Sequence, residues 1–160
     1  MTVRAGVLTI STSTAHGERE DEGGPGLAAL ATGIGAEVVS REVVADDRAV
    51  IEDRLRFLAD EQRCDLVLTT GGTGFAPSDV TPEATLAVIE REAPGIAEAM
   101  RAASREHTRH WMLSRGVAGI RGSTLIVNFP GSPASIEQAG DAIVEALPHA
   151  LALVAGRRPH

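Results

Sequence analysis

Aromatic side chains make up 2% of the 160 residues, and tyrosine is absent. A core must therefore be assembled from Val, Ile, Leu and Ala, within an apolar content of 43% that is ordinary for a globular chain. The single cysteine, Cys64, excludes an internal disulfide and a multi-cysteine metal site. Nothing beside it in sequence would lower its pKa, so it reads as a small buried side chain and not a nucleophile. Positive charge is also scarce: 22 acidic residues face 15 Lys and Arg, for a formal net charge of −7. Tracking a nucleic-acid backbone needs a basic face, so nucleic acid is not expected as a partner. A local anion site stays open, because backbone N–H groups and one or two arginines hold a phosphate well in an acidic protein. No stretch reaches the roughly 20 apolar residues of a membrane span; the late run "AIVEALPHALALVAG" is broken by Glu145, Pro148 and His149. The opening residues show no secretory leader, and the expectation is a cytoplasmic protein with no membrane partner. Neither a G-x-x-x-x-G-K-[ST] loop nor a G-x-G-x-x-G fingerprint occurs.

Strand and helix signals alternate along the chain, the pattern of an α/β sheet with helices packed on it. The length suits one domain over 1–160. Strands are predicted at 3–11, 37–44 and 64–70, the last a nearly continuous apolar run suited to burial on both faces. Helices are predicted at 24–36, at 46–63 with Val50, Ile51, Leu55 and Leu58 in register, from Thr81, and at 95–110. Thr81 is the predicted cap of its helix, with Pro82 at the first helical position. "GVAGIRGSTLIVNFP" reads as two strands around Arg121–Gly122, giving the sheet an antiparallel member. A closing helix or helix pair follows Ser132.

Three loops fall where apolar strands feed helices, the edge at which open α/β sheets bind ligands. The first is "TTGGTGFAPSD". Gly71, Gly72 and Gly74 let the backbone curl and offer N–H groups to an anion, and Thr70 and Thr73 add hydroxyls. Asp79 lies two residues before Thr81. A carboxylate beside a phosphate-sized nest implies a cation between them, most simply Mg²⁺ with a nucleotide or phosphate ester; the simpler account is a tight turn with Asp79 capping local backbone. The second loop is "VADD", where either Asp46 or Asp47 serves as a helix cap. A functional role needs Asp46 to face the same crevice as Asp79. The third is "NFPGSP": Pro130 and Gly131 turn, Ser132 caps a helix, and Pro133 opens it, a ready anion site. After the first strand, Ser11, Ser13 and Thr14 lead into the charged run Glu18–Asp21, either solvated surface or a lid. His107 and His110, three apart on the 95–110 helix, read as surface histidines, and Trp111 as a packing anchor.

The motifs "TTGGTG", "DVTPEAT" and "LSRGVAGIRGSTLIVNFPGSP", with "LTIS…GEREDEGGPGL" before them, resemble the MogA/MoaB family of molybdenum-cofactor biosynthesis proteins and the G domain of gephyrin. The resemblance covers nearly the whole chain in order. It implies a three-layer α/β/α sandwich whose mostly parallel sheet contains an antiparallel strand. The implied activity is Mg²⁺- and ATP-dependent adenylylation: the terminal phosphate of molybdopterin attacks the α-phosphorus of ATP, releasing pyrophosphate. The family's two important aspartates map onto Asp46 and Asp79, assigned to catalysis and Mg²⁺. Ser11, Thr70, Gly71, Gly72, Thr73, Gly74, Pro130, Gly131 and Ser132 are assigned to substrate binding. A homo-oligomer, trimer or hexamer, is implied, as is a partner for molybdate insertion.

The chain departs from the family pattern at four places. Thr12 stands where Asp is frequent, Gly23 where Ser is usual, Ser78 where a basic residue is common, and Phe129 where Leu is frequent. The charge missing at Ser78 passes to Arg19, Arg115 or Arg121 if phosphate binding is kept. The alternative function is a MoaB-type carrier that binds molybdopterin without turnover.

Overall fold

The computed structural model describes residues 2–158. Four parallel strands form its centre: β1 (Arg4–Ile10), β2 (Glu37–Val44), β3 (Leu66–Thr70) and, after two further strands, β6 (Thr124–Phe129). The sheet runs β2-β1-β3-β6-β5-β4. β5 (Ala118–Arg121) is antiparallel to both of its neighbours, β6 and the two-residue β4 (Arg91–Glu92). The hairpin expected around Arg121–Gly122 is β5–β6, so the mixed sheet is as the sequence implied. β4 escaped the sequence reading because two exposed residues carry no periodicity.

Alternation along the central strands builds two cores. In β3, Leu66 and Leu68 enter one cluster, with Leu27 and Ala31 of α2 (Gly24–Gly33), Met100 of α5 (Pro94–Ser104), Ile136 of α6 (Pro133–Ile143) and Leu147 of α7 (Leu147–Val154). Val67 enters the opposite cluster, with Ile51 and Leu55 of α3 (Arg48–Arg56) and Ala84 and Val88 of α4 (Thr81–Val88). Each fully buried Leu or Ile contributes about 1.5–3 kcal/mol, and the paired cores make the three-layer sandwich. All of β3 is buried, as a central parallel strand should be. Among the described residues no helix is long and apolar enough to cross a membrane.

Three helix expectations are corrected. The helix expected over 46–63 begins at Arg48 and widens into a π turn over Phe57–Glu61, closed by Gln62 N–H to Phe57 O at 2.9 Å. The wide turn sends the consecutive Leu58 and Ala59 inward together. The helix expected over 95–110 stops at Ser104. Residues 105–110 are all exposed and offer no apolar face, so further helix would have no tertiary support. His107 and His110 therefore share no helix. Thr81 is not a cap: Val80 holds that position, and the Thr81 hydroxyl donates to Gly71 O at 2.9 Å. Upstream, a short helix α1 (Thr12–Ala15), capped by Ser11, precedes the loop where none was predicted.

Arg63 ends the π turn with φ +52°, the one positive φ outside glycine among the described residues. This is the left-handed site that terminates helices and favours glycine. Arg63→Gly is expected to raise stability by about 0.5–1 kcal/mol, the relieved strain less the added unfolded-state entropy. Differential scanning calorimetry should show a melting temperature about 1–4 °C higher; no rise would mean that the Arg63 side chain contributes elsewhere.

Candidate functional site

The strand order reverses between β1 and β3, and the loops leaving β1, β3 and β6 meet at the sheet's C-terminal edge. Hydrogen bonds tie them together. Gly71 N–H continues the β3–β6 ladder to Phe129 O at 3.2 Å, and the Thr70 hydroxyl donates to Pro130 O at 2.6 Å. Between these loops lies a cleft of about 370 Å³ lined by Ser11, Thr14, Arg19, Thr70, Gly71, Gly131 and Ser132. Five of the residues assigned to substrate binding thus share one cavity. Pro130 faces the other way, into a second cleft of about 240 Å³ with Arg101, Ser104, Trp111, Ser114 and Asn128. The turn at 130–132 separates the two clefts.

Gly72, Thr73 and Gly74 do not line the first cleft. Thr73 is buried, while Gly72 and Gly74 carry the two aspartates. A Cβ on Gly72 would stand 3.3 Å from Asp46 Oδ1, and one on Gly74 would stand 2.9 Å from Asp79 Oδ2. Two residues 33 apart in sequence are thereby brought to one glycine loop. The choice left open at Asp46 and Asp47 is settled by geometry: Asp47 caps α3, accepting Val50 N–H at 3.1 Å. Asp46 is released for another task.

Each carboxylate is tied through Oδ2, but Asp46 turns its unbonded Oδ1 toward Gly72, whereas Asp79 turns its bonded Oδ2 toward Gly74. Asp46 Oδ2 accepts from Thr12 N–H at 3.0 Å and from the Thr12 hydroxyl at 2.9 Å. Asp79 Oδ2 accepts Ala76 N–H at 2.9 Å. Among the described residues neither Oδ1 takes a hydrogen bond. No group of three His, Cys, Asp or Glu suited to a metal is found among the described residues. Neither aspartate lines either cleft; Asp46 Oδ1 and Asp79 Oδ1 are the acceptors they leave open, and Mg²⁺ is usually bound by one or two carboxylates together with a substrate's phosphates.

The three candidate arginines separate. Arg121 pairs with Asp60 at 2.7 Å near the far edge of the sheet, beside Cys64 and Thr124. Arg115 is fully engaged with the glycine loop itself. Its N–H donates to Thr73 O at 2.7 Å, its Nε to Gly74 O at 2.7 Å and its Nη2 to Asp79 O at 2.8 Å. The same guanidinium grips Glu83 at 2.7 and 3.2 Å, and that hydrogen bond holds Glu83 below the usual carboxylate range. Only Arg19 of the three lines the first cleft, with a loose exposed contact to Glu22 at 3.8 Å. Asp21, read as part of a solvated run, instead turns inward to Thr9 Oγ1 (3.0 Å) and Gly24 N–H (2.8 Å).

Arg115 and the second cleft were missed by the sequence reading as site elements. Arg115 stood in the quoted motif only as a spare charge, and its three carbonyl partners lie 36–42 residues away. Replacing it with Met should free residues 73–79. Turnover is expected to fall by about 10²-fold, the scale of an ångström-sized misplacement, with faster amide exchange in the loop. Arg115→Lys should not rescue it, since a point-like ammonium cannot replace the planar fork. Full activity in the Lys variant would show that charge alone suffices.

Cys64 is 2% exposed, and desolvation pushes its thiol pKa up to about 11. It stays a neutral thiol, away from the clefts. The α6 N-terminus is largely satisfied from within, because Ser132 Oγ takes Ser135 N–H at 3.2 Å and Pro133 has none to offer. That leaves chiefly the Ala134 N–H of the first turn.

A mostly parallel α/β sheet with two clefts at the C-terminal edge, parted by the turn at 130–132 and with a glycine loop leaving β3 beside the first, has the form of a ligand-binding α/β domain. The profile of a family described as a probable molybdopterin binding domain matches residues 6–149. A Helicobacter pylori (strain J99) protein named molybdopterin adenylyltransferase is 40% identical over 97% of this chain and 89% of its own length. The Escherichia coli K12 protein of the same name is 43% identical over 91% and 75%. The crystal structure of the molybdopterin biosynthesis enzyme MoaB from Thermus thermophilus superposes with a TM-score of 0.92, 46% identity and 98% coverage of both chains. The chain belongs to the MogA/MoaB family of molybdopterin-binding domains.

Proposed function

We propose that this protein is a molybdopterin adenylyltransferase. Molybdopterin's terminal phosphate attacks the α-phosphorus of ATP; a new P–O bond forms, the bond to the β-phosphate breaks, and pyrophosphate leaves with adenylyl-molybdopterin as product. The observation that carries this reading is the pair of aspartates, each with one oxygen tied and the other free, against one glycine loop whose first residue, Gly71, lines the first cleft. Two clefts suit two substrates. The proposed cation ligands are Asp46 Oδ1 and Asp79 Oδ1, and a Mg²⁺ ion there would offset the repulsion between the two approaching phosphates.

The chain's own contribution is positioning and charge. Gly71, with Ser11, Thr70 and Ser132 around it, forms the wall along which phosphates would lie, and Arg19 supplies the cleft's cation. No covalent nucleophile is required, since the substrate's phosphate attacks, and the buried Cys64 offers none. The same reading makes the protein cytoplasmic and homo-oligomeric, a trimer or hexamer, handing its product to a molybdate-insertion partner. The apolar groove of about 410 Å³ between α5 and the α6–α7 pair supports a subunit contact.

The test incubates the purified chain with molybdopterin, ATP and Mg²⁺, and follows pyrophosphate and adenylyl-molybdopterin against an EDTA control. Metal-dependent product is expected. Tight molybdopterin binding without product would replace the enzyme with a carrier.

A further inference from the structure

We propose that Thr12 is a positioning residue for Asp46, locking its Oδ2 so that Oδ1 is presented to the cation at the glycine loop. The proposal rests on the metal reading above and extends it to a residue outside the loop. Three bonds connect the pair. Thr12 N–H and the Thr12 hydroxyl both donate to Asp46 Oδ2, at 3.0 and 2.9 Å, while Asp46 N–H donates back to the Thr12 oxygen at 3.0 Å. The hydroxyl is thus used in both directions, and the carboxylate can rotate only by breaking two bonds to one atom. With Oδ2 held, Oδ1 is the oxygen toward Gly72.

The chemistry explains why threonine serves here. A carboxylate at position 12 would meet Asp46 as a like charge and could donate nothing to it at neutral pH. The threonine side chain replaces that repulsion with a hydroxyl donor, added to the backbone N–H that any residue but proline would offer there, and leaves the site's charge to Asp46 and Asp79. The contact also joins the end of β1 to the end of β2, next to the Ser11 N–H bond to Val44 O at 2.9 Å. The clamp therefore sits just past the paired ends of β1 and β2, and the end of β1 lines the first cleft.

The experiment uses the full chain with Mn²⁺ and ATP, without molybdopterin, so that nothing turns over. Bound Mn²⁺ is read by electron paramagnetic resonance, and ATP binding in EDTA by calorimetry. Thr12→Val should weaken Mn²⁺ binding in the presence of ATP by about 10- to 100-fold, the usual cost of losing a partner that orients a metal ligand. ATP binding in EDTA should be unchanged, and Thr12→Ser should restore metal affinity. In an Asp46→Asn background, Thr12→Val should add no further loss, because both changes remove one shared interaction. Loss in Asp46→Asn with none in Thr12→Val overturns the proposal alone. Additive losses also overturn it, since Thr12 would then act on the fold. No loss in Asp46→Asn overturns the metal reading beneath it. If Thr12→Val does not fold, Thr12→Ala against Thr12→Ser makes the same comparison.

Discussion

Asp79→Asn and Asp46→Asn should each lower adenylyl transfer by about 10²- to 10³-fold, the scale of losing one electrostatic contact to the reacting phosphates. The reason lies in which oxygen is tied. At Asp79 the Oδ2 position accepts Ala76 N–H, and at Asp46 it accepts two donors from Thr12. An asparagine keeps those bonds only by placing its carbonyl oxygen there. Its NH₂ group then falls where the free Oδ1 stood, presenting a donor to a site that needs an acceptor. Charge is lost and polarity reversed at one atom, while the local hydrogen bonds survive. Both variants should therefore melt close to the parent temperature. Pyrophosphate release at saturating Mg²⁺, read beside the melting curve, separates the two effects. Parent-level turnover in either variant would sink the shared-cation reading.

Gly71→Ala should be the most damaging single change to the fold. Gly71 has φ +96°, a conformation an L-residue adopts only under strain. An added Cβ would also be driven into the backbone carbonyl oxygen of Ile10. That oxygen belongs to β1, so relief requires β1 and β3 to part at the edge where the first cleft opens. Strain and overpacking together cost about 2–5 kcal/mol, or a melting temperature lower by roughly 5–20 °C. Gly33→Ala is the control: it ends α2, has a negative φ and meets nothing within 4 Å, so alanine there should be neutral or mildly stabilising. Equal melting of the two variants would mean that the loop after β3 yields freely.

Much of the fold was legible because its signals are local. The buried run ending at Thr70 is a central strand since every residue in it is apolar or threonine. The β5–β6 hairpin is marked by Gly122, and the start of α6 by Ser132 and Pro133, each decided by neighbours one to three residues away. The errors fell where a distant partner intervened. Thr81 carries the composition of a cap, yet its hydroxyl is taken by Gly71 O, ten residues back. The helix after Pro94 ends at Ser104 because nothing apolar follows to be buried.

The candidate site divides along the same line. Residue order and type alone determined that this is an α/β protein with glycine-rich and capped loops on one sheet edge, and the motifs' resemblance to a family proposed Asp46 and Asp79 as the carboxylates to test. The first follows from hydrophobic period and turn chemistry, the second from the motif string. Only the tertiary structure decided that Asp47 caps while Asp46 is freed, that Arg115 staples the glycine loop, that Arg19 alone of three arginines reaches the first cleft, and that Thr12 clamps Asp46. Each of these is a contact or cavity wall shared between segments distant in sequence. Side-chain hydrogen bonds of that reach depend on strand order and register, which the sequence pattern leaves unspecified until the sheet has formed.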